Sequence, residues 1–272
     1  MLTVKAALEE ATASIGRVDA HVLVAHLLGV DRAYLAAHPM RVLTESEDAR
    51  IDSAVARRSM GHPVAYIVGT REFYSRDFAV GPGVLIPRPE TETLVEAALS
   101  RLPAGGSCLD LGTGSGVVGI TIACERPDAR IACTDISSEA LALARANAQS
   151  LGCADRAAFL ESRWYEALVG KRFDIIVSNP PYVAASDPHL AQGDLRFEPP
   201  AALTDGSADG LDSIRAIVAG AQRHLEPGGW LLFEHGYDQA ASAAAILERS
   251  GFDEEVSIMD LAGIPRVAGG RI

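Results

Sequence analysis

Beyond residue 105, short apolar runs alternate with helix-patterned segments, and this alternation constrains the fold more than any other property of the chain. Ser107–Leu111, Arg130–Thr134, Ala158–Glu161, Phe173–Ser178, Trp230–Glu234 and Glu255–Met259 read as strands. Val117–Cys124, Ser138–Ser150, Gly210–Leu225 and Asp238–Arg249 read as helices between them. Strands joined through helices lie parallel, and the crossovers cover both sheet faces. The pattern predicts an α/β domain with a mainly parallel sheet. The last two strands, near Val256 and Val267, have no helix between them, which predicts an antiparallel edge hairpin and brings the sheet to seven strands.

The N-terminal stretch has helical spacing instead. Val4, Leu8 and Ala11 share one helix face, and Val22, Val24, Ala25, Leu27 and Leu28 make a second helix. Asp19 is its expected N-cap and Gly29 its stop. Thr44 with Glu47 fits a capping box for a further helix to about Arg58. From Val64 to Ile86 the texture turns β-rich, punctuated by Gly69 and Gly81-Pro82-Gly83, as for a hairpin. The expected division is a helical module at 1–62, a β-hairpin linker at 63–86 and a catalytic domain at 87–272. Pro87-Arg88-Pro89-Glu90-Thr91-Glu92 suits a helix start and reads equally as a capped turn or as part of a site. Asp187–Asp209, the longest stretch without periodicity, reads as a flexible loop over the site.

Charge narrows the function classes. The net charge is −12, and residues 1–75 carry 8 Lys/Arg against 9 Asp/Glu, leaving 16 against 27 for the rest. So acidic a catalytic domain is poorly suited to gripping nucleic-acid backbone, where neutralised phosphates supply most of the affinity. Cys108, Cys124, Cys133 and Cys153 show no C-x-x-C pairing and read as reduced core residues, and the histidines show no ligand spacing, so no metal is expected. The longest apolar stretch, His21 to Val30, is too short and too polar to span a bilayer. With no leader pattern, a cytoplasmic protein without a membrane contact is expected.

Gly112-Thr113-Gly114-Ser115-Gly116 lies between a strand and a helix, the general geometry for a nucleotide-like ligand. Glycines allow close backbone approach, and the helix N-terminus offers free N–H groups. Asp135 ends the next strand, where a carboxylate can accept from both ribose hydroxyls. The third glycine comes two residues after the second, not three, and Asp110 ahead of the loop could hold a cationic amino group; both features favour S-adenosylmethionine over a dinucleotide. Trp164, after the third strand, reads either as a packing partner for adenine or as core.

Asn179-Pro180-Pro181-Tyr182 ends the fourth strand, at the sheet edge where open α/β sheets bind ligands. Proline after Asn179 holds that residue extended, and Pro181 restricts Pro180 in turn. Asn179 Oδ1 and the Pro180 carbonyl can accept the two N–H bonds of a planar, conjugated NH2, on which Tyr182 can stack. Such a nitrogen is a poor nucleophile because its lone pair is delocalised, so positioning is the expected catalytic device. The tetrapeptide makes Asn179, Pro180 and Tyr182 the candidate catalytic residues and Asn179–Tyr182 the substrate site, and does not choose adenine from glutamine.

A wider set of residues carries a family resemblance. It comprises Pro63, Tyr66, Ile67, Gly69 and Phe73; Leu85–Glu92; Asp110–Gly116; Asp135; Ser162 and Trp164; Asn179–Tyr182; Glu198-Pro199; Asp209-Gly210-Leu211; and Glu234, Gly236, Asp260 and Arg266. Over almost the whole chain these resemble the PrmC/HemK family of glutamine-N5 methyltransferases. The resemblance implies a Rossmann-like class I methyltransferase with a substrate-docking helical domain. It implies methylation of the glutamine in the Gly-Gly-Gln motif of peptide chain release factors. It places S-adenosylmethionine on Gly112–Gly116, Asp135, Trp164 and Asn179, and the substrate glutamine on Asn179–Tyr182. His235, Pro265 and Arg163 depart from the family pattern, away from the tetrapeptide. A sister enzyme acting on a large-subunit ribosomal protein and a nucleic-acid adenine methyltransferase are the rival readings. The latter is disfavoured by acidity and by the lack of a basic target-recognition domain, and the intact tetrapeptide argues against a non-catalytic binding protein.

Overall fold

Helix caps written into the sequence set the N-terminal helices. In the computed structural model, which describes residues 2–272, these are α1 (Val4–Ile15), α2 (Arg17–Leu28), α3 (Arg32–Ala37), α4 (Glu45–Ser59) and α5 (Val64–Val68). The Thr44–Glu47 capping box at the start of α4 is present in both directions. Gly29 ends α2 at φ 65°. The N-cap of α2 is Gly16, not Asp19: at φ 83° Gly16 lets α1 run directly into α2. Asp19 sits inside the first turn, where its carboxylate accepts from Arg58 Nε at 2.7 Å. Val4, Val24, Leu35, Leu43 and Ile51 form the core of this unit, which runs to Thr70 and also takes in Gln192–Phe197. Arg58 donates to Asp194 at 2.9 Å and Arg196 to the Met60 carbonyl at 3.2 Å.

The hairpin expected across 63–86 is shorter. Val64–Val68 is helical, because Pro63 opens the turn and Gly69, at φ 83°, closes it through a bond to the Ala65 carbonyl. These flanks outweigh the β-propensity of two valines and an isoleucine. The hairpin comprises β1 (Thr70–Phe73) and β2 (Arg76–Ala79), and Gly81-Pro82-Gly83 lies beyond it. Its two-residue turn is Tyr74-Ser75, both at positive φ (51° and 58°), as a primed turn demands.

The second unit, Arg71–Ala191 with Glu198–Ile272, holds the sheet. Its elements are α6 (Glu92–Leu99), β3 (Ser107–Leu111), α7 (Val117–Glu125), β4 (Arg130–Asp135), α8 (Ser138–Ser150), β5 (Ala157–Glu161), β6 (Phe173–Ser178), α9 (Pro200–Leu203), α10 (Asp212–Ala221), β7 (Leu225–Glu234), α11 (Ala240–Arg249), β8 (Asp253–Met259) and β9 (Pro265–Arg271). The strand order is β5-β4-β3-β6-β7-β9-β8, parallel through β7 and antiparallel beyond. The expected edge hairpin is present, with its second strand inserted against β7. Ile175 and Val177 face one core with Val95, Ile120 and Ile131; Ile176 faces the other with Ile214, Leu231 and Leu247. The stretch Asp187–Asp209 is not one open loop: it contains short helical turns at Pro188–Ala191 and Leu195–Phe197, then α9.

Candidate active site

Strand register assembles the site. The chain leaves β3 toward β4 and β5 on one side and returns to β6 and β7 on the other, so the order reverses between β3 and β6, where open sheets form a crevice. Leu111 pairs with both Thr134 and Ser178, and Ser178 pairs with Phe233. The next residue on each strand therefore falls along one carboxyl edge, in the order Asp135, Gly112, Asn179, Glu234. Glycine loop and tetrapeptide are neighbours.

The loop presents backbone, not side chains. Gly112, Gly114 and Gly116 all have positive φ (68°, 56° and 88°). Thr113 and Ser115 turn inward and are buried. The Thr113 hydroxyl donates to Asp110 Oδ2 at 2.6 Å, the Gly119 amide donates to the same oxygen at 2.9 Å, and the Ser115 carbonyl accepts from Asn147 at 2.8 Å. Asp110 thus braces the turn from inside, and burial lifts its carboxyl from 3.8 to about 6. Asp135 accepts the Gly114 and Ser137 amides, each at 2.9 Å, and keeps further lone pairs at the mouth of the crevice. The Trp164 ring lies beside Gly112: a Cβ on that glycine would stand 3.7 Å from Cζ3.

The tetrapeptide is held by side chains from distant segments. Asn179 Nδ2 donates to the Thr91 hydroxyl at 3.1 Å, Thr91 donates to Glu234 Oε2 at 2.7 Å, and the Tyr182 hydroxyl donates to Glu234 Oε1 at 2.9 Å. Among the described residues, Asn179 Oδ1 and the Pro180 carbonyl receive no hydrogen bond. Glu234 is fully buried, which raises its pKa; burial and the adjoining Glu234 carboxylate push Tyr182 well above the ordinary phenol value, so it keeps its proton. The Tyr182 carbonyl accepts from Gln239 Nε2 at 2.9 Å. Gly210 lies so close that a Cβ there would stand 2.1 Å from the same oxygen. Upstream of Thr91, buried Glu198 binds Arg88 and accepts the Ile86 amide at 2.9 Å, anchoring the segment that delivers the threonine. His235 is buried beside Glu234, its Nδ1 2.8 Å from the Gly236 carbonyl and its Nε2 without a partner among the described residues; burial holds it neutral by lowering its pKa.

In the sequence Thr91 and Glu234 stand only as members of longer patterns. Thr91 does mark a helix start: it ends the 3-10 turn Pro89–Thr91, and α6 follows directly.

Comparison with known proteins decides the family. Residues 3–69 match the PrmC N-terminal domain and residues 89–194 the Methyltransferase small domain. A release factor glutamine methyltransferase of Xylella fastidiosa is 49% identical over 268 residues, covering 98% of this chain and 97% of that protein. The chain belongs to the release factor glutamine methyltransferase family. Another member, from Burkholderia pseudomallei, is 51% identical over 262 residues, covering 94% and 92%. Among solved structures, a methyltransferase from Pyrococcus furiosus superposes with a TM-score of 0.56 at 16% identity, over 84% of this chain and 98% of that one. A 16S rRNA N2 G1207 methyltransferase from Thermus thermophilus, in complex with AdoMet and guanosine, gives 0.55 at 22% identity, over 74% and 49%. Both show that the sheet domain has the class I methyltransferase fold, the architecture that the strand alternation and the resemblance implied.

Proposed function

We propose that this enzyme transfers a methyl group from S-adenosylmethionine to the side-chain amide nitrogen, N5, of the glutamine in the Gly-Gly-Gln motif of peptide chain release factors. One observation carries the chemistry: beside the glycine loop, Asn179 Oδ1 and the Pro180 carbonyl receive no hydrogen bond among the described residues, which leaves two acceptors for the two N–H groups of a primary amide. The near-full-length likeness to release factor glutamine methyltransferases supports the substrate.

The loop fits the methyl donor. Nothing lies within 4 Å of a Cβ on Gly114, so backbone is open to a ligand there. Asp135 offers carboxylate lone pairs for ribose hydroxyls, and Trp164 an aromatic ring beside Gly112. When bound, S-adenosylmethionine supplies a methyl group activated by its sulfonium. The chain's own residues prepare the nucleophile. Asn179 and Pro180 take both amide N–H bonds in the plane of the amide, which leaves the nitrogen's out-of-plane electrons facing along the crevice. Tyr182 lies against that plane. Glu234 accepts both hydroxyls and so holds Thr91 and Tyr182 in place. Each hydrogen bond contributes about 1–3 kcal/mol, whereas alignment in a near-attack geometry contributes about 7–11 kcal/mol. Positioning therefore carries the rate.

The helical unit takes the role of docking the protein substrate, and action on release factors accords with a cytoplasmic enzyme. No helix among the described residues is long and apolar enough to cross a membrane. The test is methyl transfer from labelled S-adenosylmethionine to purified release factor, large-subunit ribosomal protein and tRNA in parallel, with the labelled residue mapped. Label on the release-factor glutamine is expected; label confined to ribosomal protein or nucleic acid overturns the substrate.

A further inference from the structure

We propose that Thr91 and Glu234 are positioning residues that set the polarity of the Asn179 amide, so that Oδ1 and not Nδ2 faces the substrate. The inference rests on the reading of Asn179 as an acceptor for the substrate NH2 and adds what makes it one. An asparagine amide is nearly symmetric in shape and can turn over; presented nitrogen-first, it would meet a substrate NH2 donor to donor. Something must hold one orientation.

Proton accounting identifies the holder. Glu234 accepts on both of its oxygens, and a hydroxyl has one proton to donate. Glu234 receives Thr91 Oγ1 at 2.7 Å on one oxygen and Tyr182 Oη at 2.9 Å on the other. With its proton given to Glu234, the Thr91 hydroxyl can only accept from Asn179, and only the NH2 end of the amide can donate. The polarity thus passes from carboxylate to hydroxyl to amide and ends at Oδ1 in the crevice. The same carboxylate holds Tyr182, so one buried group orients both ends of the tetrapeptide. Thr91 is itself buried, at the end of the 3-10 turn Pro89–Thr91 that runs directly into α6.

The chain contains only two asparagines, which makes the relay directly visible. Asn147 donates twice, to the Ala79 and Ser115 carbonyls, and accepts the Ala79 amide. It serves as an internal reference. The full-length protein labelled with [15N]asparagine should show two side-chain NH2 pairs. In T91V, which keeps the shape and removes the hydroxyl, the Asn179 pair should move toward free-amide shifts and exchange faster, while the Asn147 pair stays in place. Loss of an orienting hydrogen bond should lower kcat/KM for methylation of release factor about ten- to a hundredfold. T91S, which restores the hydroxyl, should recover both the spectrum and most of the rate. E234Q, which puts an N–H donor opposite one of the two hydroxyls, should also shift the Asn179 pair.

A T91V protein with unchanged Asn179 resonances and unchanged kcat/KM would overturn the relay. So would a T91S protein as slow as T91V, since packing and not the hydroxyl would then be what matters. N179A separates this inference from the reading beneath it. If N179A methylates normally, the acceptor reading itself fails; if N179A is inactive while T91V is normal, only the relay fails.

Discussion

The glycine loop and the Asn179–Tyr182 tetrapeptide, the proposed amide clamp, leave neighbouring strand ends, yet they are built in opposite ways. The loop is backbone shaped by three left-handed glycines and braced by Asp110, Asp135 and the Thr134 carbonyl, all within about two dozen residues of it. The clamp is a set of side-chain groups whose orientation comes from Thr91, 88 residues upstream of Asn179, and from Glu234, 52 residues beyond Tyr182. A site made of backbone is specified locally, because conformation alone creates it. A site made of side-chain polarity needs partners that only the folded chain brings together. The two asparagines show the same contrast: Asn147 is saturated by backbone and joins the loop to the β2 edge, whereas Asn179 keeps its oxygen open for a ligand.

Substitutions can break the two halves separately. The largest effect is expected from N179A. It should leave S-adenosylmethionine affinity nearly intact, because the loop is independently braced, while methyl transfer falls by several orders of magnitude as alignment is lost; calorimetry and single-turnover kinetics measure the two sides. A mutant that loses both together would show that loop and clamp are one unit.

Gly210→Ala attacks the clamp from a position outside both motifs. Its Cβ would stand 2.1 Å from the Tyr182 carbonyl, at a φ of 68° that disfavours alanine. We expect a stability loss of about 2–4 kcal/mol and slower transfer, with donor affinity changed little. Denaturant unfolding and a binding titration check this.

The loop half has a pH signature of comparable size. Because burial lifts Asp110 from 3.8 to about 6, the folded state binds its proton more tightly than the unfolded chain does. The associated stability is fully present below pH 3.8 and is lost as pH rises through about 6, an effect of about 3 kcal/mol. Relative to D110N, the wild-type protein should therefore lose stability between pH 4 and 6 and run parallel outside that window. Parallel melting curves throughout would show that Asp110 titrates as an ordinary carboxyl. The smallest effect is expected from Y182F, which keeps the ring against the substrate plane and removes one bond to Glu234. A cost of about 1 kcal/mol corresponds to roughly fivefold in kcat/KM.

Much of this protein is legible in one dimension. β3, β6 and α8 begin and end where apolar runs and caps place them, because strand and helix boundaries there are set by adjacent residues. The Thr44–Glu47 box and Gly29 behave as local chemistry requires. Where local signals compete, reading fails. Val64–Val68 has strand-like residues but helical flanks, and Asp19 lost the cap to a glycine whose left-handed φ allowed a tighter junction. Thr113 stands within the glycine loop, yet its inward direction was decided by its bond to Asp110, while Asn147 holds the Ser115 carbonyl.

By itself, then, the sequence determined the alternating architecture, the glycine loop and the place of the Asn179–Tyr182 tetrapeptide at the end of its strand, since each is encoded by contiguous residues. Tertiary structure alone decided that the Nδ2 end of Asn179 is the one bound to Thr91. That polarity depends on where protons sit in a chain of hydrogen bonds, and its members, Thr91, Asn179, Tyr182 and Glu234, become neighbours only when β6 and β7 pair and the turn ahead of α6 closes over their ends.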